Sequence, residues 1–253
     1  MIRHLSQKIL APFILILLIG PTNLLATAAD TIDSDKDGLT DEQEINIYQT
    51  DPNLVDTDGD GYPDGQEVNL GYSARHNNGQ KLIEVDSDKD YLIDAWEIAL
   101  GTGLTNPDSD GDKYLDGTEI AAGYDPLNSD PTAKKIKTIK INLKNQSLTY
   151  FFGDKQLESF LISSGIARLP TPTGNFEIQN KFPTKHYKGP GYDYPNTKWN
   201  LHFYTGAYRY YIHGAYWHDD FGQPKSHGCI NVSYDNMERL YNWAQVGSQV
   251  LIE

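Results

Sequence analysis

The feature that most constrains the fold of this chain is a run of acidic residues that recurs with a fixed spacing between residues 30 and 131. This stretch holds 26 Asp and Glu residues against 5 Lys and Arg, a net charge of −21 in a chain whose total is −14. Carboxylates this crowded repel one another and keep a chain open unless cations neutralise them. The spacing of the carboxylates therefore indicates whether this stretch can bind cations.

Four segments place carboxylates at positions 1, 3, 5, 9 and 12 of a twelve-residue loop. This is the calcium-loop pattern, in which position 7 supplies a backbone carbonyl and a glycine at position 6 permits a sharp turn. The first two loops have this glycine, Gly38 and Gly61, whereas Tyr91 and Lys113 replace it in the third and fourth. Because a bulky side chain is strained at positive φ, we expect loops 3 and 4 to bend differently or to bind more weakly. The predicted ligands are Asp33, Asp35, Asp37, Asp41 and Glu44; Asp56, Asp58, Asp60, Asp64 and Glu67; Asp86, Asp88, Asp90, Asp94 and Glu97; and Asp108, Asp110, Asp112, Asp116 and Glu119.

Short Thr-Asp-Pro-Asn and Thr-Asn-Pro segments, at 50–53 and 105–107, lie between the loops. With them, residues 31–130 resemble bacterial thrombospondin type 3 calcium repeats. The resemblance implies a compact string of loops clamped by structural Ca²⁺ and connected by short helices. Extracellular modules of this kind work with weak sites, of about 10⁻⁴–10⁻³ M. The alternative is a solvated acidic linker that stays disordered.

The C-terminal half contains the only cysteine of the chain, Cys229, in the run Ser-His-Gly-Cys-Ile-Asn at 226–231. Only a thiolate attacks carbonyls well, so a cysteine enzyme needs a nearby imidazole to take the proton. His213 and His227 are both candidates. We favour His213, which lies sixteen residues upstream, because that length allows a strand end and a loop that returns the thiol to the imidazole. The alternative is that the cysteine is a small buried hydrophobe.

Two motifs connect this half of the chain with a known family. His-Gly at 213–214 precedes the run at 226–231, and Thr-Pro-Thr-Gly-Asn-Phe occupies 171–176. Together they make residues 134–253 similar to the L,D-transpeptidase (YkuD) catalytic domain. The fold this resemblance implies is mostly β, an L,D-transpeptidase-like β-sandwich with one or two short helices, preceded by the calcium-loop repeat module.

The resemblance also implies roles for individual residues. Cys229 would be the acylated nucleophile and His213 its proton acceptor and donor. The backbone carbonyl of Gly214 would orient the imidazole, and main-chain N–H groups around Gly228 and Cys229 would form the oxyanion hole. The turn itself would be held by hydrogen bonds of Ser226, His227 and Asn231.

The implied partner is the peptidoglycan stem tetrapeptide, whose acyl group would pass through a thioester to a neighbouring amine and give a 3→3 cross-link. No cofactor for catalysis is implied. Transfer to water instead would make the protein an L,D-carboxypeptidase or thiol hydrolase. An alternative of another class is a calcium-dependent wall-anchoring or adhesion protein with an inactive catalytic half, which the intact motif histidines and cysteine argue against. Export and charge argue against nucleic acid as a partner.

Hydrophobic alternation predicts the elements of the catalytic half. One helix follows Ser233 and presents an apolar stripe from Met237 to Ala244 to the core. The segment 180–198, rich in Pro, Gly and Tyr, has little periodicity and predicts a flap or rim loop over the site, where aromatic residues could contact sugar or peptide; the alternative is a plain surface loop. The predicted strands are 136–143, 148–152, 157–164, 175–179, 199–204, 208–213 and 248–252.

The first 29 residues have the three parts of a secretory signal peptide. Arg3 and Lys8 precede an apolar run at 9–20, and small residues end the segment, which predicts cleavage after Ala28 or Ala29. An uncleaved anchor is the alternative. Cleavage would leave no transmembrane anchor and would place the protein in the periplasm or cell wall. A single free thiol retained where thiols are at risk of oxidation favours function over packing.

Overall fold

The computed structural model of the chain describes residues 32–253, so the predicted signal peptide at 1–29 lies outside the described residues. Within 32–253, no helix is long and apolar enough to cross a membrane. The helices are α1 (Asp41–Gln43), which continues into a π-helical turn (Glu44–Tyr48), α2 (Asp64–Leu70), α3 (Asp94–Leu100), α4 (Asp116–Ala122) and α5 (Tyr234–Trp243). The strands are β1 (Lys137–Asn142), β2 (Ser147–Phe152), β3 (Lys155–Leu161), β4 (Gly174–Glu177), β5 (Asn180–Gly189), β6 (Tyr192–Thr205), β7 (Arg209–Gly214), β8 (Ile230–Val232) and β9 (Gln249–Ile252).

The strands form two sheets, with the orders β3-β2-β1-β9-β4 and β5-β6-β7-β8. The pairs β1–β9 and β7–β8 are parallel, and the other pairs are antiparallel. Fully buried side chains of both sheets, such as Ile139, Leu148, Phe203 and Ile212, belong to one core cluster. The prediction of a mostly β fold with short helices is confirmed. The predicted helix α5 also forms after Ser233, although that side chain donates and accepts no capping hydrogen bond.

The segment 180–198 is a long β-hairpin, so the prediction that it lacks regular structure is wrong. Strands β5 and β6 are joined by Pro190-Gly191, and Gly191 has φ +84°. Two features obscure the hydrophobic alternation of these strands in the sequence. Pro183 argues against a strand, but it is tolerated here because β5 is a sheet edge. The register between β5 and β6 also shifts between Lys185 and Tyr187. Strand β8 was not predicted because its three residues are too few to show a hydrophobic alternation.

The third and fourth loops bend like the first two, so the expectation of a different bend is wrong. At position 6, Tyr91 and Lys113 have φ of 80° and 81°, in the same region as Gly38 and Gly61 at 104° and 100°. The backbone N–H of Lys113 donates to Asp108 Oδ2 at 2.9 Å, the same bond that Gly61 makes with the first residue of its loop. The replacement therefore costs strain, of about 1–2 kcal/mol per residue, and leaves the loop shape unchanged.

Loops 1 and 2 pair with each other, and so do loops 3 and 4. The N–H of Gly65 donates to Asp37 at 2.7 Å, and the N–H of Gly117 donates to Asp90 at 3.0 Å. A Cβ on either glycine would lie 2.5 Å from the carbonyl oxygen of the same aspartate. These glycines therefore permit the close approach of consecutive loops.

The last pair of loops shares its core with the β-sandwich. Trp96 on α3 packs edge-on against Tyr150 of β2, with ring centroids 5.9 Å apart, and its Nε1 donates to Glu158 of β3 at 3.2 Å. Glu158 also accepts from the Tyr150 hydroxyl and from Arg239 of α5, at 2.9 Å. One partly buried carboxylate thus connects a repeat helix, two strands and the C-terminal helix. The acidic segment is not a free spacer in front of the catalytic half.

We expect Trp96→Ala to lower the free energy of unfolding of the calcium-loaded protein by about 3–5 kcal/mol, because it opens a cavity beside Tyr150. Trp96→Phe keeps an aromatic ring but removes the hydrogen-bond donor to Glu158. The loss of this hydrogen bond should lower the free energy of unfolding by about 1 kcal/mol, in addition to the effect of the smaller ring on packing. Urea denaturation in calcium measures both. A change within error for Trp96→Ala would contradict the shared core.

Candidate functional site

The parallel pair β7–β8 forms the frame of the candidate active site. Its register places His213 level with Asn231 and Ile212 level with Ile230. Cys229 immediately precedes β8 and lies two residues before Asn231, so its side chain faces the same side of the sheet as His213. Strand pairing thus brings the thiol and the predicted base to one face.

The imidazole of His213 is buried and fixed in orientation. Its Nδ1 lies 3.0 Å from the carbonyl oxygen of Gly214, to which it donates, and this bond assigns the lone pair to Nε2. The ring of Tyr187 stacks on it at 4.5 Å. Burial lowers the pKa of His213 to about 4, so the ring is neutral at neutral pH and can accept a proton. A methyl group on Gly214 would lie 2.6 Å from the Tyr234 ring, which explains the glycine after this histidine.

The turn before Cys229 depends on Gly228, which has φ +114°. A Cβ at this position would lie 2.8 Å from Tyr210. The N–H of Gly228 donates to Ser226 Oγ at 3.0 Å, so it is already used and cannot serve an oxyanion without losing that bond. Of the two main-chain donors that the resemblance implies, the Cys229 N–H is the one for which residues 32–253 provide no acceptor.

The two sequence motifs meet at this turn. Thr171 Oγ1 donates to the Gly228 carbonyl and accepts from the Gly165 N–H, each at 2.9 Å. Ser226 Oγ donates to the Cys229 carbonyl, as expected of a residue that holds the turn. The upstream Thr-Pro segment therefore braces the cysteine loop.

His227 and Asn231 have different surroundings from those predicted. His227 is exposed, and its ring lies 4.8 Å from that of Tyr192 in the β5–β6 hairpin, so it makes no hydrogen bond to the turn. Asn231 Nδ2 lies 3.0 Å from Nε2 of His218, a third histidine that sequence analysis missed. The Nδ1 of His218 is buried and has no partner among the described residues.

The β5–β6 hairpin covers the site with aromatic rings. Tyr187 stacks on His213, and Tyr194 stacks on Trp217 at 3.8 Å with the ring planes 3° apart. The hydroxyl of Tyr216 donates to the Pro195 carbonyl at 3.0 Å. The tyrosines of 180–198 were the available signal for this cover, but without a strand period they could not be assigned to a face.

The Cys229 thiol is protonated at rest. Burial raises its pKa to about 11, although a main-chain hydrogen bond of Tyr211 and the positive charge of Lys185 both act to lower it. The resting pair is therefore a neutral thiol and a neutral imidazole. Such a pair can react by moving the proton from sulfur to Nε2 as the sulfur attacks.

The four acidic loops are shaped for a hard cation. In each loop the carboxylates of positions 1, 3 and 5 converge, with ligand oxygens within 4.8 Å of one another. Oxygens of positions 3 and 12 are buried without a hydrogen-bond partner in all four loops, which is costly unless an ion satisfies them. All the donors are oxygens, which suits Ca²⁺. The unpartnered oxygens belong to Asp35, Asp58, Asp88 and Asp110 at position 3 and to Glu44, Glu67, Glu97 and Glu119 at position 12.

The position-9 aspartates also close their loops, and Asp64 lies with Asp37 and Glu44 in a group of carboxylates whose oxygens are within 4.8 Å of one another. Asp64, the first residue of α2, accepts from the N–H and the hydroxyl of Thr57 at 2.8 and 2.6 Å. Both of its oxygens therefore close the loop back onto position 2. The equivalent pairs are Ser34–Asp41, Ser87–Asp94 and Ser109–Asp116.

Burial and the neighbouring carboxylates raise the pKa values of the position-12 glutamates, to about 7 for Glu44, Glu67 and Glu119 and to about 9 for Glu97. Without a cation, the folded loops therefore bind protons that the unfolded chain would release.

Comparison with known families agrees with both halves of this description. Residues 136–252 match the family model of the L,D-transpeptidase catalytic domain, YkuD. The bacterial TSP3 repeat model matches residues 33–54, 56–71 and 108–129, and so leaves out the third loop. Residues 136–252 thus resemble the YkuD catalytic domain, and the acidic segments before them resemble bacterial thrombospondin type 3 repeats. No curated protein sequence matches the chain significantly.

Solved L,D-transpeptidases are similar to the C-terminal half. The enzyme from Mycobacterium smegmatis is 23% identical, with 48% of this chain and 60% of that one covered and a TM-score of 0.44. L,D-transpeptidase 3 from Mycobacterium tuberculosis is 17% identical, with 48% and 62% covered and a TM-score of 0.44. The catalytic domain from Enterococcus faecium is 28% identical, with 46% and 96% covered and a TM-score of 0.40. The chain therefore spans about 60% of the length of the mycobacterial structures it matches.

Alkylation of Cys229 by iodoacetamide should accelerate about tenfold for each pH unit between pH 7 and 9, because only the thiolate reacts and its fraction still rises steeply below a pKa of about 11. The same thiol in urea should instead level off near an ordinary cysteine pKa, about 8.5. A plateau at or below pH 8 in the folded protein would contradict the neutral pair and indicate a thiolate–imidazolium pair.

In chelator, the thermal stability of the protein should fall as pH rises from about 5 to about 9. The position-12 glutamates have raised pKa values when folded, so their protons contribute stability at low pH that is lost as pH passes through about 7 and then 9. Excess calcium should flatten the profile, because the ion replaces the protons. Glu97→Gln provides the matched variant: at pH 8 it should exceed the parent in chelator and gain less from calcium. Parallel profiles with and without calcium would contradict a cation role for these loops.

Proposed function

We infer, from the L,D-transpeptidase catalytic domain at residues 136–252, that this protein is an exported cysteine L,D-transpeptidase that forms 3→3 cross-links between peptidoglycan stem peptides. The observation that carries the proposal is the placement of Cys229 on the same face as His213, whose imidazole is neutral and fixed by the Gly214 carbonyl. This is the arrangement that a cysteine acyltransferase needs, a nucleophile beside an oriented base.

In the proposed reaction, the sulfur of Cys229 attacks the carbonyl that precedes the terminal D-Ala of a stem tetrapeptide, and its proton passes to His213 Nε2. The Gly214 carbonyl stabilises the imidazolium that forms, and the Cys229 N–H faces the developing oxyanion. The imidazolium then protonates the amine of the departing D-Ala, which leaves a thioester. The side-chain amine of a second stem attacks this thioester, a proton passes through His213, and the thiol is regenerated.

The aromatic hairpin bears on the choice between an amine and water as the acceptor. Tyr187 and Tyr194 cover His213 and Trp217, so an acyl-enzyme formed beneath them has restricted contact with solvent. Limited access of water favours transfer to a bound amine over hydrolysis. Carboxypeptidase activity on the same residues is the second outcome that the experiment has to distinguish.

The proposed location follows from the cation loops. Weak calcium sites fill only where calcium is abundant, as it is outside the cytoplasm. The predicted signal peptide at 1–29 agrees with this location. The bound ions would hold the repeats folded, and they would take no part in the acyl transfer.

The test is incubation of residues 30–253 with disaccharide-tetrapeptide in calcium, with products followed by mass spectrometry. We expect cross-linked dimers that have lost one D-Ala, none with Cys229→Ala, and at least about a hundredfold less with His213→Gln. His227→Gln, at the other motif histidine, should lose far less of the cross-linking activity.

Formation of tripeptide without dimers would indicate a carboxypeptidase instead of a transpeptidase. No turnover together with no mass increase on Cys229 after exposure to a carbapenem would reject the active nucleophile and favour a wall-anchoring role.

A further inference from the structure

One lysine at the candidate site has no anionic partner. Lys185, on β5, lies half-buried with its ammonium 4.8 Å from the ring centroid of Phe182 and 4.9 Å from that of Tyr211. Across residues 32–253 its ammonium forms no ion pair with a carboxylate. By contrast Lys188, three residues along the same strand, is exposed and pairs with Asp193 at 3.0 Å.

The position of Lys185 connects it with the reacting groups. The ring of Tyr211 lies beside its ammonium, while the main chain of Tyr211 hydrogen-bonds the Cys229 thiol. Tyr187, two residues further along β5, stacks on His213. The lysine therefore belongs to the part of the hairpin that covers the thiol, and its charge is felt at the sulfur.

Aromatic faces orient a cation, but they do not neutralise it. In the resting protein the thiol is protonated, so no thiolate uses the charge either. An unneutralised, partly desolvated ammonium beside a nucleophile is complementary to an anion that arrives with the substrate.

We propose that Lys185 is a carboxylate-binding residue of the acyl-donor site, held in place by Phe182 and Tyr211. The carboxylate assigned to it is the C-terminal one of the departing residue, which is a single residue from the attacked carbonyl. That assignment rests on the proposed function, whereas the capacity of the site to attract an anion to Cys229 does not.

The first experiment measures this capacity without any turnover. Iodoacetate and iodoacetamide alkylate the same thiol and differ mainly by one negative charge. A change in the thiol pKa alters both rates equally, so their ratio reports the local positive charge alone. The rates are measured on the calcium-loaded protein at low ionic strength, by the mass of the adduct on Cys229.

We expect the ratio of iodoacetate to iodoacetamide rates to fall about threefold to tenfold in Lys185→Gln. Lys185→Arg should keep the ratio, and Lys188→Gln, the matched control on the same strand, should keep it as well. Lys185→Met serves as the second neutral variant, and thermal unfolding checks that each variant is folded. An unchanged ratio in the folded neutral variants would overturn the proposal.

The second experiment compares a stem tetrapeptide with its C-terminal amide as acyl donors. Lys185→Gln should raise KM about tenfold for the acid and leave KM for the amide unchanged. A fall in the alkylation ratio without any turnover would leave the anion site standing and reject the transpeptidase. Normal turnover with an unchanged ratio, or with equal losses for acid and amide, would reject the role of Lys185 and leave the transpeptidase standing.

Discussion

Mutual repulsion among the loop carboxylates is the constraint on which the rest of this structure depends. Each loop buries oxygens that no hydrogen bond satisfies, so the repeats fold only with protons or cations bound. The consequence reaches beyond the repeats because α3 carries Glu97, a position-12 glutamate, next to Trp96, which completes the core beside Tyr150. The position-12 carboxylate of the third loop and the tryptophan of the shared core therefore lie on the same turn of helix, so an ion bound in that loop would support the catalytic half as well as its own module.

The candidate active site depends on a second, local constraint, the parallel pairing of β7 with β8. Three paired residues set the face on which both Cys229 and His213 lie. This short contact is reinforced from outside the sheet, since Thr171 bonds the Gly228 carbonyl and Ser226 bonds both ends of the turn. The upstream motif matters for this reason: without the Thr171 hydroxyl, the cysteine loop would lose the bond that fixes Gly228 at its positive φ.

Sequence reasoning succeeded where a single structural or chemical requirement selects a particular residue type. Oxygens at loop spacing, glycine at a positive φ, and histidine followed by glycine could be assigned before any coordinates. Sequence reasoning failed where contacts with other segments determine the local structure. The β5–β6 hairpin hides its period behind Pro183 and a register shift, β8 has three residues, and Tyr91 adopts a backbone that its loop imposes on it. Lys185 escaped notice for the same reason, because the side of a strand cannot be assigned before the strand is recognised.

The protonation state of Cys229 also bears on how its free thiol resists oxidation. Oxidants attack the thiolate, so a thiol whose pKa is raised to about 11 by burial is protected in the resting state. The cost is a weak nucleophile, which has to be activated during the reaction itself. His213 meets this need because its low pKa leaves Nε2 free, and the Gly214 carbonyl stabilises the charge only once the proton has moved. Burial thus protects the thiol at rest and leaves its activation to the transfer of its proton to His213 during the reaction.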